Sequence, residues 1–129
     1  MNSKQLGDLG EKIASRYLEN KGYRILDKNY STNFNSGPKR GEIDIIARKD
    51  NIISFIEVKT LRQVQGEPFR PEDKVYWLEQ KKLIKTAQFW LMAKKIPLDK
   101  KWQIDVVAIK IDSDNNLAKI QHFKNAVFS

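Results

Sequence analysis

The chain has 129 residues, enough for one domain with a single core and too few for two. Hydrophobic residues make up 40% and charged residues 31%, a balance that excludes a disordered chain, and no apolar run approaches the ~18 residues of a membrane span. Cysteine is absent and His122 is the single histidine, which excludes disulfides, thiolate zinc sites and chemistry built on paired histidines; the net charge of +8 points to polyanionic partners, nucleic acid first.

In chain order, Leu6, Leu9, Ile13, Ala14, Tyr17 and Leu18 recur at helical spacing, which predicts a helix over Lys4 to Asn20, capped by Ser3 and ended at Lys21-Gly22. Met1 to Gln5 run straight into this pattern without a signal-peptide core, so the cytoplasm is the expected compartment. Tyr23 to Tyr30 reads as the first strand, and the polar stretch Ser31 to Arg40, with Gly-Pro, as a loop. That loop delivers Lys39 and Arg40 to Gly41-Glu42 and serves either as a plain connection or as a phosphate-contacting flap. Strands over Gly41 to Ala47 and Ile52 to Thr60 follow from their Ile, Val and Phe content, joined by a polar turn at Arg48 to Asn51. After Thr60 an irregular basic stretch carries Arg62 and Arg70 as candidate clamps on a phosphate backbone. A long helix is expected from about Glu72 to Lys95, stopping before Pro97. Its apolar face holds Tyr76, Leu83, Ala87, Trp90 and Leu91, with Gln80 and Lys82 as weaker nucleic-acid contacts. The last strands are Trp102 to Ile111 and Leu117 to Phe123, and Asn125 to Phe128 is expected to tuck an apolar end onto the core. His122 and Asp105 read as structural.

The chemistry sits in the second and third strands. With a two-residue turn between them, period-two alternation puts Glu42, Asp44, Phe55, Glu57 and Lys59 on one sheet face. Three acids and a lysine between apolar residues form a costly cluster: like charges raise one another's pKa, and each desolvated carboxylate needs a partner. A divalent cation satisfies such a cluster economically, and magnesium takes one or two carboxylates plus waters and phosphate oxygens. A metal there activates water and neutralises charge on a phosphodiester, while Lys59 orients the water or stabilises the transition state. Without the surrounding context an acid–x–lysine strand is a surface ion pair worth under ~1 kcal/mol.

Asp44 followed by Glu57-Val58-Lys59 resembles the D…(D/E)-x-K core of the PD-(D/E)xK nuclease superfamily. Gly10-Glu11-x-x-Ala14, Gly41 to Ala47, Phe55 to Thr60 and Asp105-Val106-Val107-Ala108 together resemble the YraN-like (UPF0102) bacterial family. That family is itself similar to archaeal Holliday-junction resolvases. Two departures stand out: Ile43 replaces the proline that often precedes the aspartate, and Glu79 stands where a basic residue is expected.

The resemblance implies a single restriction-endonuclease-like α/β domain over residues 1–129, with a central mixed β-sheet flanked by helices in the order αβββαββ. It implies metal-dependent phosphodiester hydrolysis on DNA, branched or single-stranded, in repair or recombination. Asp44, Glu57 and the Val58 carbonyl would hold Mg²⁺ or Mn²⁺, with Glu11 assisting, Lys59 positioning water and Glu42 in support. It further implies a homodimer spanning two strands. The alternatives are a non-catalytic nucleic-acid-binding module and a protein-interaction adaptor that retains the fold.

Overall fold

The computed structural model describes residues 1–33, 40–63 and 80–126. Helix α1 spans Ser3–Asn20; strands β1 (Arg24–Asn33), β2 (Arg40–Lys49) and β3 (Ile52–Arg62) follow, then helix α2 (Gln80–Ala93), β4 (Trp102–Asp112) and β5 (Leu117–Phe123). The αβββαββ order expected from the sequence is the order observed. The five strands form one mixed sheet in the order β1-β2-β3-β4-β5, antiparallel except for the parallel pair β3–β4. A parallel pair needs a crossover, and α2 lies in the segment that makes it.

Both helices end in the same way. At α1, Gly22 adopts φ 94°, Tyr23 N–H donates to Leu18 and Gly22 N–H to Glu19. At α2, Lys95 adopts φ 58°, with Ile96 N–H donating to Leu91 and Lys95 N–H to Met92. Each is a Schellman turn that satisfies the last carbonyls, with glycine in the first and a lysine in the left-handed position of the second. At its start α1 is capped by Asn2, one residue earlier than expected: the Asn2 side chain accepts from Gln5 N–H while the Gln5 side chain accepts from Asn2 N–H. Ser31 to Asn33 and Arg40, assigned to a loop from their polarity, instead extend β1 and β2 by pairing with each other's strand. Ladder hydrogen bonds override composition there. Of the long helix expected from Glu72, residues 72–79 lie outside the described part, Tyr76 among them.

The sheet carries a core on each face. Under α2 lie Ile43, Ile46, Ile53, Phe55, Leu83, Ala87, Trp90, Leu91 and Ile104. Under α1 lie Ala14, Leu18, Tyr23, Ile45, Ala47, Ile56, Val107, Ile109 and Ile111. Burying a side chain of this size contributes roughly 1.5–3 kcal/mol, so β2, β3 and β4, covered on both faces, form the most strongly held part of the fold. Ala126 N–H donates to the Ile104 carbonyl at 2.8 Å, which brings Asn125-Ala126 beside β4, while Val127 and Phe128 of the expected apolar end lie outside the described residues.

Candidate functional site

The β2–β3 turn is the two-residue Asp50-Asn51, with Asp50 at φ 54°. The described β2–β3 pairs run from Lys49↔Ile52 to Ile45↔Ile56. The next position is Asp44, whose Oδ2 accepts the Val58 N–H at 2.7 Å, so a side chain holds β3 where the ladder stops. On its other side Asp44 lies between the β1–β2 pairs Lys28↔Ile45 and Tyr30↔Ile43, across from Asn29, whose backbone is left-handed (φ 52°).

Alternation breaks at this point. Ile43 and Ile46 both pack under α2, whereas Ile45 and Ala47 pack under α1. Asp44 and Ile45 together line a cleft against α1. The expectation that Asp44 and Glu57 simply share one face is therefore corrected: Glu57 and Lys59 continue the Phe55 face by alternation, and Asp44 lines the cleft against α1. Two-residue parity describes a regular ladder, and the ladder ends one residue too early for it.

Glu11 reaches Asp44 from α1. Its carboxyl is pushed up to about 6, chiefly by burial and then by the Asp44 charge, with Lys28 opposing. When protonated, its carboxyl donates a hydrogen bond to Asp44. The Asn29 amide, with nitrogen and oxygen assigned from the hydrogen-bond network, donates to the two Glu11 oxygens at 3.2 and 3.3 Å. Asp44 is itself raised, by burial above all, against the lowering effect of the Val58 N–H, Glu11 and Lys59. Glu57 is pushed up to about 7 by burial and the Asp44 charge, opposed by Lys59, whose Nζ stands 3.4 Å from Glu57 Oε1. Glu42 is exposed and adds its charge to both Asp44 and Glu57.

Gly10 lets α1 come close enough for this. A Cβ there would collide with Thr60 Oγ1 and come within 2.8 Å of Thr60 Cβ and Cγ2. The helix thus packs directly on β3 one residue beyond Lys59, and Glu11 follows at the edge of the contact.

The structure brings Glu11, Asp44, Glu57, Lys59, Val58 and Glu42 into one neighbourhood. Among the described residues no three His, Asp or Glu side chains gather around a single point that could hold a metal ion. The contacts are pairwise, Glu11 with Asp44 and Asp44 with Glu57. The donors are hard carboxylate oxygens, the type that Mg²⁺ or Mn²⁺ takes.

The expected nucleic-acid contacts are less gathered. The guanidinium of Arg62 donates to the Met1 carbonyl at 3.1 Å, so part of its donor fork is already used. Lys82 is half-buried on α2, and its carbonyl accepts from Thr86 Oγ1. Arg40 opens β2 and Gln80 opens α2, while Lys39 and Arg70 lie outside the described residues.

Sequence reasoning missed Asn29 and the network around Asp105. Asp105 is fully buried; its Oδ1 accepts from Gln103 Nε2 at 2.9 Å and Asn125 N–H at 2.8 Å, and its Oδ2 lies 2.9 Å from His122 Nε2. His122 Nδ1 is 3.3 Å from Tyr17 Oη, and the Tyr17 ring meets the imidazole edge-on. One carboxylate thereby ties β4, β5, α1 and the C-terminal segment together. The only sequence signal was an acid set between Ile104 and Val106 in a largely apolar strand.

Fold and site define a small α/β protein in which carboxylates and one lysine meet where two core strands part. The description of the uncharacterised protein family UPF0102 matches residues 10–109, and the chain belongs to that family. It is 42% identical over 125 residues to a UPF0102 protein of Alkaliphilus metalliredigens, covering 96% of this chain and 98% of that one. A UPF0102 protein of Thermodesulfovibrio yellowstonii is 41% identical over 126 residues, with 96% of each covered. One of Geotalea uraniireducens is 40% identical, with 97% and 91% covered. Among solved structures, that of SSO0001 aligns with 98% of this chain at 20% identity and TM-score 0.41, and the chain spans 54% of its length. No helix among the described residues is long and apolar enough to cross a membrane.

Proposed function

We propose that this protein is a divalent-metal-dependent nuclease acting on DNA. The observation that carries this reading is the Asp44–Glu57–Lys59 group, with Glu11 behind it, at the point where β2 and β3 separate. Desolvated acids held against one another are poorly satisfied without a cation, and the whole chain is strongly basic. Asp44 and Glu57 would hold Mg²⁺ or Mn²⁺, with Val58 and Glu11 completing the site. When bound, the ion supplies an acidified water and charge neutralisation at a phosphodiester. Lys59 would orient that water or meet the developing negative charge.

The deciding experiment is cleavage of end-labelled single-stranded, duplex and four-way-junction DNA with Mg²⁺ or Mn²⁺, with Glu57→Ala as control. Cleavage that is lost in the variant and on chelation supports the nuclease and names its substrate. No cleavage by the native protein, or equal cleavage by both, leaves a nucleic-acid-binding module or a protein adaptor that retains the fold.

A further inference from the structure

A second concavity lies at the opposite end of the β2–β3 hairpin. Arg48, which it includes, is four residues beyond Asp44 on β2, a span of ~13 Å along an extended strand. The cavity measures about 530 Å³ and has an apolar floor of Leu26, Ile53, Trp90, Ile96 and Pro97. Its rim is Arg48, Lys94, Lys95 and Lys100, and among the described residues no aspartate or glutamate lines it. Among the described residues no carboxylate forms an ion pair with these four cations.

Two of the four have an ordinary explanation. Lys94 and Lys95 follow the C-terminal end of α2, where cations complement the helix dipole. Arg48 and Lys100 do not share it. Arg48 comes from β2, opposite Ile53, and Lys100 from the turn closed by its N–H to the Pro97 carbonyl. Three separate segments thus bring positive charge to one apolar pit. The left-handed Lys95 backbone turns the chain sharply there, so Ile96 and Pro97 can close the pit wall.

We propose that this pit binds an acidic segment of a protein partner, seating one or two bulky apolar side chains on the floor while its carboxylates meet the cationic rim. The ligand must join negative charge to an apolar body, and its charge is opposite to that of the rim. A nucleic-acid strand is the poorer fit. Sequence-tolerant strand binding uses open aromatic faces for base stacking. Among the described residues the only aromatic one in the lining, Trp90, is 3% exposed, and its indole N–H is already given to Asp27 at 3.1 Å. The inference is independent of the proposed nuclease activity, since none of the pit residues belongs to the acidic cluster.

The test is fluorescence anisotropy of the full chain with a labelled peptide of several aspartates ending in leucine and phenylalanine, at physiological salt. The controls are the same peptide with alanines at the apolar positions and a labelled thymidine oligonucleotide measured directly. Binding in the range of ~10–100 μM is expected, weakened ~tenfold or more by the alanine peptide and by the Lys94→Glu/Lys100→Glu protein, and unchanged by Glu57→Ala. Far-UV circular dichroism and melting confirm that the charge-reversed protein is folded, and a milder Lys94→Gln/Lys100→Gln protein gives an intermediate loss. No binding at millimolar peptide overturns the proposal, as does binding indifferent to these changes. Direct binding of the labelled thymidine oligonucleotide that the native protein shows and the charge-reversed protein loses overturns it too, by assigning the pit to nucleic acid.

Discussion

Glu57 is held in a place that favours its neutral form. Its carboxyl rises to about 7 from an ordinary 4.5 because burial and Asp44 penalise its charge more than Lys59 relieves it. The native state therefore binds this proton more tightly than the unfolded chain does. The associated stability is fully present below pH ~4.5 and is lost as pH rises through ~7, up to ~3 kcal/mol in all. Glu57→Gln should remove that slope, so that the metal-free variant melts above the native protein at pH 8 and close to it at pH 5. Magnesium should raise the melting temperature of the native protein at pH 8 and leave the variant unmoved; no response in either would count against a metal held by Glu57. Asp105 is buried with both carboxyl oxygens used by neighbouring groups. Asp105→Ala strands His122, Gln103 and the Asn125 N–H, and should cost ~3–5 kcal/mol in urea unfolding.

At the scale of the element, α1 carries two glycines with opposite meanings. Nothing lies within 4 Å of a Cβ built on Gly7, whereas one on Gly10 collides with Thr60. Gly7→Ala should stabilise by ~1 kcal/mol through helix propensity alone. Gly10→Ala gains the same propensity but must push α1 off β3, so overpacking should make it a net loss of ~1–3 kcal/mol in thermal melts. Because Glu11 follows Gly10, the same substitution should also blunt any metal response. Equal stabilisation by both alanines would mean that α1 does not depend on this close approach. The broken β2–β3 ladder is the other element-level device. It lets Asp44 leave the regular alternation and hold Val58 N–H with its side chain.

Over the whole molecule, charge and sheet act separately. The +8 net charge makes non-specific nucleic-acid affinity largely a matter of counterion release. Binding of an oligonucleotide should therefore fall steeply and linearly on a log–log plot against salt, with a slope that Lys94→Glu/Lys100→Glu leaves unchanged if the pit serves a protein. A flat salt response would argue that nucleic acid is not the partner. The acidic cluster and the cationic pit lie at opposite ends of one hairpin, so both could be engaged at once.

The sequence by itself determined the element order, the strands of the core and the identity of the clustered acids. Binary patterning and turn chemistry are local, and Asp44, Glu57 and Lys59 stand out because charge interrupts apolar strands. Ser31 to Asn33 escaped that reading because polar residues at a sheet edge are recruited by backbone pairing rather than by hydrophobicity. Only the tertiary structure decided that the ladder ends at Ile45, that Asn29 turns left-handed to serve Glu11, and that Asp105 meets His122. It alone gathered Arg48, Lys94, Lys95 and Lys100 around one pit. These outcomes depend on contacts between segments far apart in the chain, where burial and hydrogen bonding settle what periodicity leaves open.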